Sequence, residues 1–444
     1  MKTRLNFMTA MFCGSAAMAL APLAGHAAPT LSYIGQQIVP SGTAYNGTTV
    51  GGLSGIDYDA ANNRYFAISD DRSGINAARF YTLQLNLSAF QRSATPGSAG
   101  VSFTSVTTLQ TPGGAAFASN TVDPESIRFN AASNTLYWTN EGQRSGAGFQ
   151  NPTVRETTLG GVHVRDFAVP DRYKPAGSNS GLAVGDRGIY NNLAFESLSL
   201  SSDRKTLWTA TENALAQDSL PSTALNGSRA RLLSFDVASG AAGAEYVYDV
   251  SPVALAPNPA GAFATNGLTD LLAIGDGQWI AIERSFAAGA VTPGTPVTGN
   301  TIRLYLADAR GATDVSALDS LAGQPVAAVN KTLLLDLSTL LNDDGSALAL
   351  DNIEGLSLGQ TFDGKPVLML VSDNNFSGTQ FTQFVALSLV DATVPEPGSM
   401  ALVVVALVGM VAAAQRRRTA PPSASNAART RAALFGSGTA LGAV

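Results

Sequence analysis

Short runs in which apolar and polar residues alternate recur along the chain, separated by polar turns. The stretch DPESIRFNAASNTLYWTNEG, residues 123–142, has the arrangement: SIRF alternates, NAASN is a polar turn, and LYWTN forms a second run. Two such runs joined by a short polar turn predict a β-hairpin. The pattern therefore predicts an all-β protein built from short antiparallel strands.

Five segments repeat this hairpin. Asp70, Glu141, Glu212 and Glu283 follow one another at intervals of 71 residues, and Asp373 comes 90 residues after Glu283. A fixed period is typical of repeat architectures, whereas chance similarity within a β-sandwich would not keep one spacing. The five hairpins span residues 52–71, 123–142, 193–213, 266–285 and 351–374.

Each hairpin is followed by further strand-like runs, so that a unit offers four short antiparallel strands, the content of one β-propeller blade. No unit can bury both of its faces alone, and we expect the units to stack around an axis. The last unit has only three strands of its own, and the run Thr30–Val39 would complete it and close the ring. The sequence predicts five blades, or six if the long insertions hold a degenerate one.

The two ends of the chain carry targeting signals. Lys2 and Arg4 precede an apolar run and the small-residue cleavage site GHA, so residues 1–28 are predicted to be a signal peptide. The only cysteine, Cys13, lies inside it. The remaining chain is therefore predicted to be exported without disulfide or thiol chemistry.

Residues 394–418, VPEPGSMALVVVALVGMVAAAQRRR, combine a Pro-Glu-Pro, an apolar run over 400–414 and three arginines. This combination resembles the PEP-CTERM sorting signal of Gram-negative bacteria, which an exosortase-type enzyme recognises. The resemblance implies a transmembrane segment at 400–414 before processing, and a cell-surface or matrix location afterwards. An ordinary tail anchor is the alternative, for which 15 residues are short. Residues 419–444 are predicted to be a disordered tail.

The region between the two signals, residues 29–393, is acidic. It holds 32 acidic and 20 basic residues, a net charge of −12. Such a charge disfavours nucleic acid and anionic membranes as partners and is compatible with divalent cations. We also expect the domain to be a monomer.

Acids recur at the open ends of the hairpins. Residues equidistant from a turn lie opposite each other, which predicts the facing pairs Glu125–Glu141, Glu196–Glu212 and Glu354–Asp373. If the first two strands of each blade are the inner ones, the acids surround one mouth of a central channel. Oxygen ligands suit Ca²⁺, and Mg²⁺ second. The predicted metal ligands are Asp70, Glu125, Glu141, Glu196, Glu212, Glu283, Glu354 and Asp373.

These acids have a structural alternative, because an acid at a blade end can accept hydrogen bonds from backbone amides of the neighbouring turn. Arg72, Arg144 and Arg284 follow three of them in sequence. A guanidinium suits a phosphate, and we select Arg72, Arg284 and Glu141 as candidate catalytic residues. Ion pairing with the same acids is the alternative for each arginine.

The motifs GLSGIDYD…YFAISDDR, DPESIRF…LYWTNEG, FESLSLS…LWTATEN and NIEGLSL are similar to those of the phytase-like family with esterase-like activity. The resemblance covers most of residues 30–393 and implies a propeller related to β-propeller phytases. In that group, acids at the channel mouth bind Ca²⁺, which holds substrate phosphates and activates water. The acidic set carries over to this chain, whereas a Lys- and Arg-rich phosphate cradle is not visible.

Other hydrolase classes fit less well. The chain has no G-x-S-x-G nucleophile motif, and a Ser-His-Asp triad would need His163, the only histidine outside the predicted signal peptide. The residues favour metal-assisted hydrolysis of a phosphate ester. A non-catalytic surface or matrix propeller that binds a glycan or a protein is the alternative. Aromatics in exposed mouth loops would favour sugar binding, and the candidates are Tyr45, Phe149, Tyr173, Tyr190 and Phe376.

Overall fold

The computed structural model describes residues 28–390. The predicted signal peptide up to residue 27, the sorting signal 394–418 with the predicted transmembrane segment 400–414, and the predicted tail 419–444 lie outside this range. Within it, no helix is long and apolar enough to cross a membrane.

The described residues form 24 β-strands and three single-turn 3₁₀ helices. The helices are Leu87–Ala89, Asp171–Tyr173 and Leu337–Thr339. The strands are β1 (Thr30–Val39), β2 (Ala44–Tyr45), β3 (Thr48–Thr49), β4 (Leu53–Asp59), β5 (Arg64–Ser69), β6 (Arg79–Leu85), β7 (Val101–Thr108), β8 (Pro124–Asn130), β9 (Thr135–Asn140), β10 (Gln143–Ser145), β11 (Gly148–Gln150), β12 (Thr153–Thr158), β13 (His163–Asp166), β14 (Phe195–Leu200), β15 (Thr206–Thr211), β16 (Ser228–Asp236), β17 (Ala242–Val250), β18 (Ala264–Gly275), β19 (Gln278–Ala287), β20 (Asn300–Asp308), β21 (Asn330–Asp336), β22 (Asn352–Leu358), β23 (Val367–Asp373) and β24 (Thr382–Val390).

Five antiparallel sheets of four strands make five blades, and the prediction of a five-bladed propeller is confirmed. Blade 1 has the order β4-β5-β6-β7, blade 2 β8-β9-β12-β13, blade 3 β14-β15-β16-β17 and blade 4 β18-β19-β20-β21. Blade 5 has the order β22-β23-β24-β1. The long insertions of the described region hold only the small hairpins β2-β3 and β10-β11 rather than a sixth blade.

The N-terminal strand closes the ring, as the sequence predicts. It pairs along its length with the last strand, from Thr30 opposite Val390 to Val39 opposite Thr382. A register shift interrupts the pairing near Gly35, where Gln36 exchanges backbone hydrogen bonds with Gln91 of blade 1. The first strand thus joins blade 5 to blade 1.

Five of the apolar core clusters lie between neighbouring blades, which explains why both faces of each sheet carry apolar residues. Trp138 of blade 2 packs in one cluster with Phe66 of blade 1, and Trp279 of blade 4 packs in another with Leu232 of blade 3. The first strands β4, β8, β14, β18 and β22 each contact the first strand of the next blade, so they line the axis.

A buried ion pair crosses the axis and bonds to every blade. Nη2 of Arg128 in blade 2 donates to both carboxylate oxygens of Asp270 in blade 4, at 2.8 and 2.7 Å. Nη1 of Arg128 also donates to the carbonyl of Ile56 in blade 1 (2.9 Å). Asp270 accepts from the amides of Leu198 in blade 3 (3.3 Å) and Leu356 in blade 5 (2.9 Å). The pair therefore fixes the mutual positions of the five inner strands.

Candidate functional site

A β-bulge occurs at the same place in the first strand of each blade, near the open end of the hairpin. At this point the first strand has one residue more than the second strand. In blade 2 the extra residue arises because Glu125 and Ser126 stand opposite the single residue Thr139. A bulge re-aims the side chain of the extra residue. The bulge residues are Ser54, Glu125 with Ser126, Glu196, Thr269 and Glu354.

The bulges correct the predicted pairing. Glu125 and Glu141 do not face each other across the hairpin, because the amide of Glu141 bonds to the carbonyl of Asp123 instead. In the same way, the amide of Glu212 bonds to Ala194, and Asp373 pairs with Asn352. Counting residues from the turn places each partner wrongly, because it does not count the inserted residue.

The second strand of each blade has an equivalent position near the same end of the hairpin. It is found by taking the residue that pairs just before the bulge and moving one residue further along the second strand. We call these five residues the mouth ring. Its members are Asp70, Glu141, Glu212, Arg284 and Asp373.

The predicted place of Glu283 in this ring is wrong by one residue. Glu283 pairs with Leu268, so the next residue, Arg284, holds the ring position in blade 4. Glu283 accepts instead from Nζ of Lys331 (2.6 Å) and from the hydroxyl of Tyr248 (3.0 Å). Its carboxylate therefore has a structural role in blade 4 and is not a candidate metal ligand.

The other predicted acids come together at the channel mouth. Carboxylate oxygens of Glu125, Glu141 and Glu196 lie within 4.8 Å of one another, and so do those of Asp70, Asp123 and Glu125. Glu125 belongs to both groups. Asp123 was missed by the sequence analysis, although it stands in the same DPES segment as Glu125.

Burial and mutual repulsion shift the ionisation of these acids. Burial raises the pKa of Glu141 well above its ordinary value, and the charge of Asp123 raises it further. For Glu125, burial raises the pKa most, followed by the charge of Asp70. Burial brings the pKa of Glu212 to about 7, although the charge of Arg284 acts in the opposite direction. A bound cation would favour the ionised form of these groups and so oppose both effects.

Some of the carboxylate oxygens accept no hydrogen bond from residues 28–390. They are Oδ1 of Asp70, Oδ2 of Asp123, Oε2 of Glu141 and Oε1 of Glu212. Buried polar atoms without a partner are rare, and carboxylate oxygens of this kind suit the binding of a cation. Two of the acids also fit the structural role, in which a carboxylate accepts a hydrogen bond from a backbone amide. Glu141 accepts from the amide of Ala194 (2.8 Å) and Asp373 from that of Asn375 (2.7 Å).

Arg284 lies among the acids of blades 3 and 5. Its Nη2 donates to Oε1 of Glu354 at 2.8 Å and lies 3.4 Å from Oε1 of Glu212. Burial acts to lower the pKa of Arg284, but the charges of Glu212 and Glu354 outweigh it and raise the pKa. Its Nε is buried and donates to no group among the described residues.

Arg72 and Arg144 have different surroundings. Nε of Arg72 donates to Oδ1 of Asp123 at 2.7 Å, and its Nη2 lies 3.9 Å from Oε2 of Glu141. Arg144 is fully buried and donates to backbone carbonyls of the 176–189 loop, with Asp186 3.4 Å away. Arg72 is therefore part of the acidic site, whereas Arg144 holds a loop together.

A cavity of about 720 Å³ opens over the ring. It is lined by six of the acids, Asp70, Glu125, Glu196, Glu212, Glu354 and Asp373, together with Arg284. Apolar residues also line it, among them Phe263, which is 67% exposed. The sequence analysis did not select Phe263.

Other candidate residues lie elsewhere. His163 belongs to β13, the outermost strand of blade 2, and its Nε2 lies 3.7 Å from Asp166, so it cannot serve a triad at the channel mouth. Tyr173 and Tyr190 are buried, and Phe376 packs against the guanidinium of Arg79. None of the five aromatics predicted for a sugar site is among the residues that line the cavity in the described region.

Similar solved structures are distant from this chain. The Dos1 propeller has 9% identity, covers 76% of this chain and 68% of its own, and has a TM-score of 0.31. A GH43 β-1,3-galactosidase has 8% identity, coverage of 79% and 60%, and a TM-score of 0.40. An endo-1,4-β-xylanase from Bacteroides thetaiotaomicron has 11% identity, coverage of 77% and 96%, and a TM-score of 0.39. Likenesses this weak say nothing about the chemistry of this chain, and no curated protein matches it.

Family comparisons are more informative. Residues 393–418 match the PEP-CTERM protein-sorting motif, which implies export and surface sorting by exosortase-type machinery. Residues 48–376, most of the chain and nearly all of the propeller, match a second family model. The chain therefore belongs to the phytase-like family, described by the esterase-like activity of phytase.

Proposed function

We propose that the protein is an exported hydrolase that cleaves a phosphate ester at the acidic channel mouth with the help of bound divalent cations, Ca²⁺ ahead of Mg²⁺. The observation that carries the proposal is an excess of buried negative charge. Two guanidiniums, of Arg72 and Arg284, face eight carboxylates there. The eight are Asp70, Asp123, Glu125, Glu141, Glu196, Glu212, Glu354 and Asp373.

The residues fit a hard cation. All of the candidate ligands are carboxylate oxygens, the ligand type that Ca²⁺ and Mg²⁺ prefer. The two three-acid groups that share Glu125 would hold the cations, and oxygens without hydrogen-bond partners are available at Asp70 and Glu141. A bound cation would supply positive charge to the oxygens of a substrate phosphate.

The chain's own residues supply the remaining parts. Arg284 lines the cavity and can bind a phosphate oxygen as well as its carboxylate partners. Glu212 lines the cavity, and burial raises its pKa towards neutrality, which suits a group that exchanges protons with water or with the leaving alcohol. Arg72 would keep Asp123 and Glu141 in place rather than contact the substrate, because it does not line the cavity.

The sorting signal gives the proposed location. Export would be followed by removal of the signal by an exosortase-type enzyme and release to the cell surface or matrix. Membrane anchoring would precede this step.

The test is hydrolysis of p-nitrophenyl phosphate, an acyl p-nitrophenyl ester and phytate by residues 29–393, each with Ca²⁺ and with a chelator. We expect chelator-sensitive hydrolysis of the phosphate ester. Hydrolysis of the acyl ester alone, insensitive to the chelator, would contradict the proposal. Absence of all three activities would favour the non-catalytic alternative, in which the propeller binds a glycan or a protein.

A further inference from the structure

Blade 4 differs from the other four blades at the channel mouth. Each of the others places an acid at its bulge, in the mouth ring, or at both positions. Blade 4 has Thr269 at the bulge and Arg284 in the ring. Within residues 28–390 it is thus the one blade that brings no carboxylate to these two positions. One side of the mouth is therefore positive where the rest is negative.

The same blade brings an apolar wall to the cavity. Phe263, Ala264, Phe286 and Val297 all belong to blade 4 or its loops and line the cavity. The rings of Phe263 and Phe286 lie 6.0 Å apart, centroid to centroid. Phe263 is 67% exposed and Val297 55% exposed. Exposed apolar side chains grouped at a cavity are typical of ligand contacts.

The wall and the guanidinium belong to one continuous surface. Arg284 and Phe286 are two residues apart in β19, so their side chains leave the strand on the same face. Both line the cavity. A ligand whose anionic group meets Arg284 can therefore lay its remaining part along Phe286 and Phe263.

The charge of the cavity limits how many phosphates a ligand can carry. Of the residues that line it in the described region, Arg284 alone is basic. A polyphosphorylated ligand such as phytate would bring many negative charges to a mouth that already has an excess of carboxylates, and like charges repel strongly in a partly enclosed site. One phosphate group, shared between Arg284 and the bound cations, fits this balance.

Resting on the proposed phosphoesterase function, we propose that the substrate is a monophosphate ester of an aromatic or similarly flat, apolar alcohol. Its phosphate binds between Arg284 and the cations that the acidic groups around Glu125 would hold. Its organic part packs on the wall of Phe263, Phe286 and Val297. Hydrolysis breaks the ester P–O bond, with water as the second reactant, and releases phosphate and the alcohol.

The test compares 2-naphthyl phosphate with glycerol 2-phosphate in the wild type and in Phe263→Ser, with Ca²⁺ present. We expect kcat/KM to favour the naphthyl ester at least tenfold in the wild type. Phe263→Ser should lower that preference about tenfold, since it removes roughly one aromatic contact. Val291→Ser is the matched control, because Val291 is 82% exposed in the same blade and is not among the residues that line the cavity. Equal use of both esters by the wild type, or higher activity on phytate, would overturn the inference.

A binding measurement separates this inference from the proposed catalysis. If no ester is hydrolysed, calorimetry with phenylphosphonate and methylphosphonate still tests the wall. Tighter binding of phenylphosphonate, lost in Phe263→Ser and kept in Val291→Ser, would support the apolar ligand although the hydrolase proposal has failed. Equal affinity for the two phosphonates, or binding of neither, would overturn the inference.

Discussion

Arg128 of blade 2 and Asp270 of blade 4 form an ion pair that lies in the middle of the propeller and is shielded from water. The remaining hydrogen bonds of the two side chains go to backbone groups of the inner strands and to the hydroxyl of Ser126, which donates to Asp270. An ion pair of this kind contributes to the choice of one arrangement of the blades, because any other arrangement would leave a buried charge unpaired.

We expect Asp270→Asn to lower the free energy of unfolding by about 3–5 kcal/mol, since it leaves the Arg128 guanidinium buried without its counter-charge. Urea denaturation at pH 7 measures the change. Arg310→Gln is the control, because it removes an ion pair with Asp308 in which the arginine is two-thirds exposed, and we expect little change there. Similar losses in the two variants would contradict a special role for the central pair.

The carboxyl of Asp57, which is not a proposed metal ligand, should make the free energy of unfolding depend on pH. Burial raises its pKa to about 6, despite the charge of Arg128, and its Oδ2 accepts from the amide of Phe129 (2.6 Å). A raised carboxyl pKa stabilises the fold below the unfolded-state pKa of about 4, and this contribution is lost as the pH rises through 6. Between pH 5 and pH 8 the wild type should therefore lose at most about 1.4 kcal/mol of stability relative to Asp57→Asn, since the rest of the full change of about 3 kcal/mol falls below pH 5. Urea denaturation of both proteins at the two pH values measures this difference, and parallel pH profiles would contradict it.

Calcium should stabilise the domain at pH 8, where the mouth acids are most ionised. A ligand at a hundred times its dissociation constant contributes about 2.7 kcal/mol. Thermal unfolding with Ca²⁺ and with a chelator measures the shift in Tm, and Glu125→Gln should remove most of it, because Glu125 belongs to both acid groups. Glu283→Gln is the control, since Glu283 pairs with Lys331. It should lower the basal Tm but keep the calcium shift. Loss of the shift in the control, or its survival in Glu125→Gln, would argue against the assigned ligands.

Arg284 pairs with Glu212 and Glu354 and would therefore compete with cations for them. We expect Arg284→Gln to increase the calcium-dependent rise in Tm and to lower kcat/KM for a phosphate ester on the order of a hundredfold, the usual loss when one charge-stabilising donor is removed. Arg284→Lys keeps the charge but not the planar fork, so it should restore the wild-type calcium response and only part of the activity. Full activity in Arg284→Gln would show that the guanidinium does not bind the substrate.

Gly35 tests the closure of the ring. A Cβ at this position would lie 2.8 Å from backbone atoms of Phe90 and Gln91, so β1 would have to move away from blade 1. We expect Gly35→Ala to cost about 1–3 kcal/mol, the usual cost of overpacking, measured by urea denaturation. Gly378→Ala is the matched control, because no atom lies within 4 Å of its Cβ. Equal stability of the two variants would mean that the contact near Gln91 relaxes freely.

The architecture could be predicted from the sequence because its signals are long and regular. The 71-residue spacing gave the number of blades, and the unpaired apolar run Thr30–Val39 gave the closing strand with the bounds that the structure has. These signals depend on the alternation of apolar and polar residues over whole strands. An error of one residue in pairing leaves them unchanged.

The site depends on single residues, and there the prediction failed in part. The bulges at Glu125, Glu196 and Glu354 have no distinctive composition, so counting from the turn paired each acid with the wrong partner. In blade 4 either Glu283 or Arg284 can be aligned with the acids of the other hairpins, and similarity of residue type selects Glu283, whereas the structure places Arg284 there. Phe263 was missed because it belongs to no repeat. Which way a side chain points at a strand end depends on the packing of neighbouring blades, and the sequence alone does not give that packing.

Because Thr30 pairs with Val390, the propeller should tolerate circular permutation. The two ends of the described domain are neighbours in one ladder, so a short turn could join them and make β24 and β1 a hairpin like those of the other blades. New ends could then open in a polar turn of another blade, such as residues 131–134. A circularly permuted domain of this kind should keep all five blades, and the present order of blades is only one of several equivalent ways to thread the same ring.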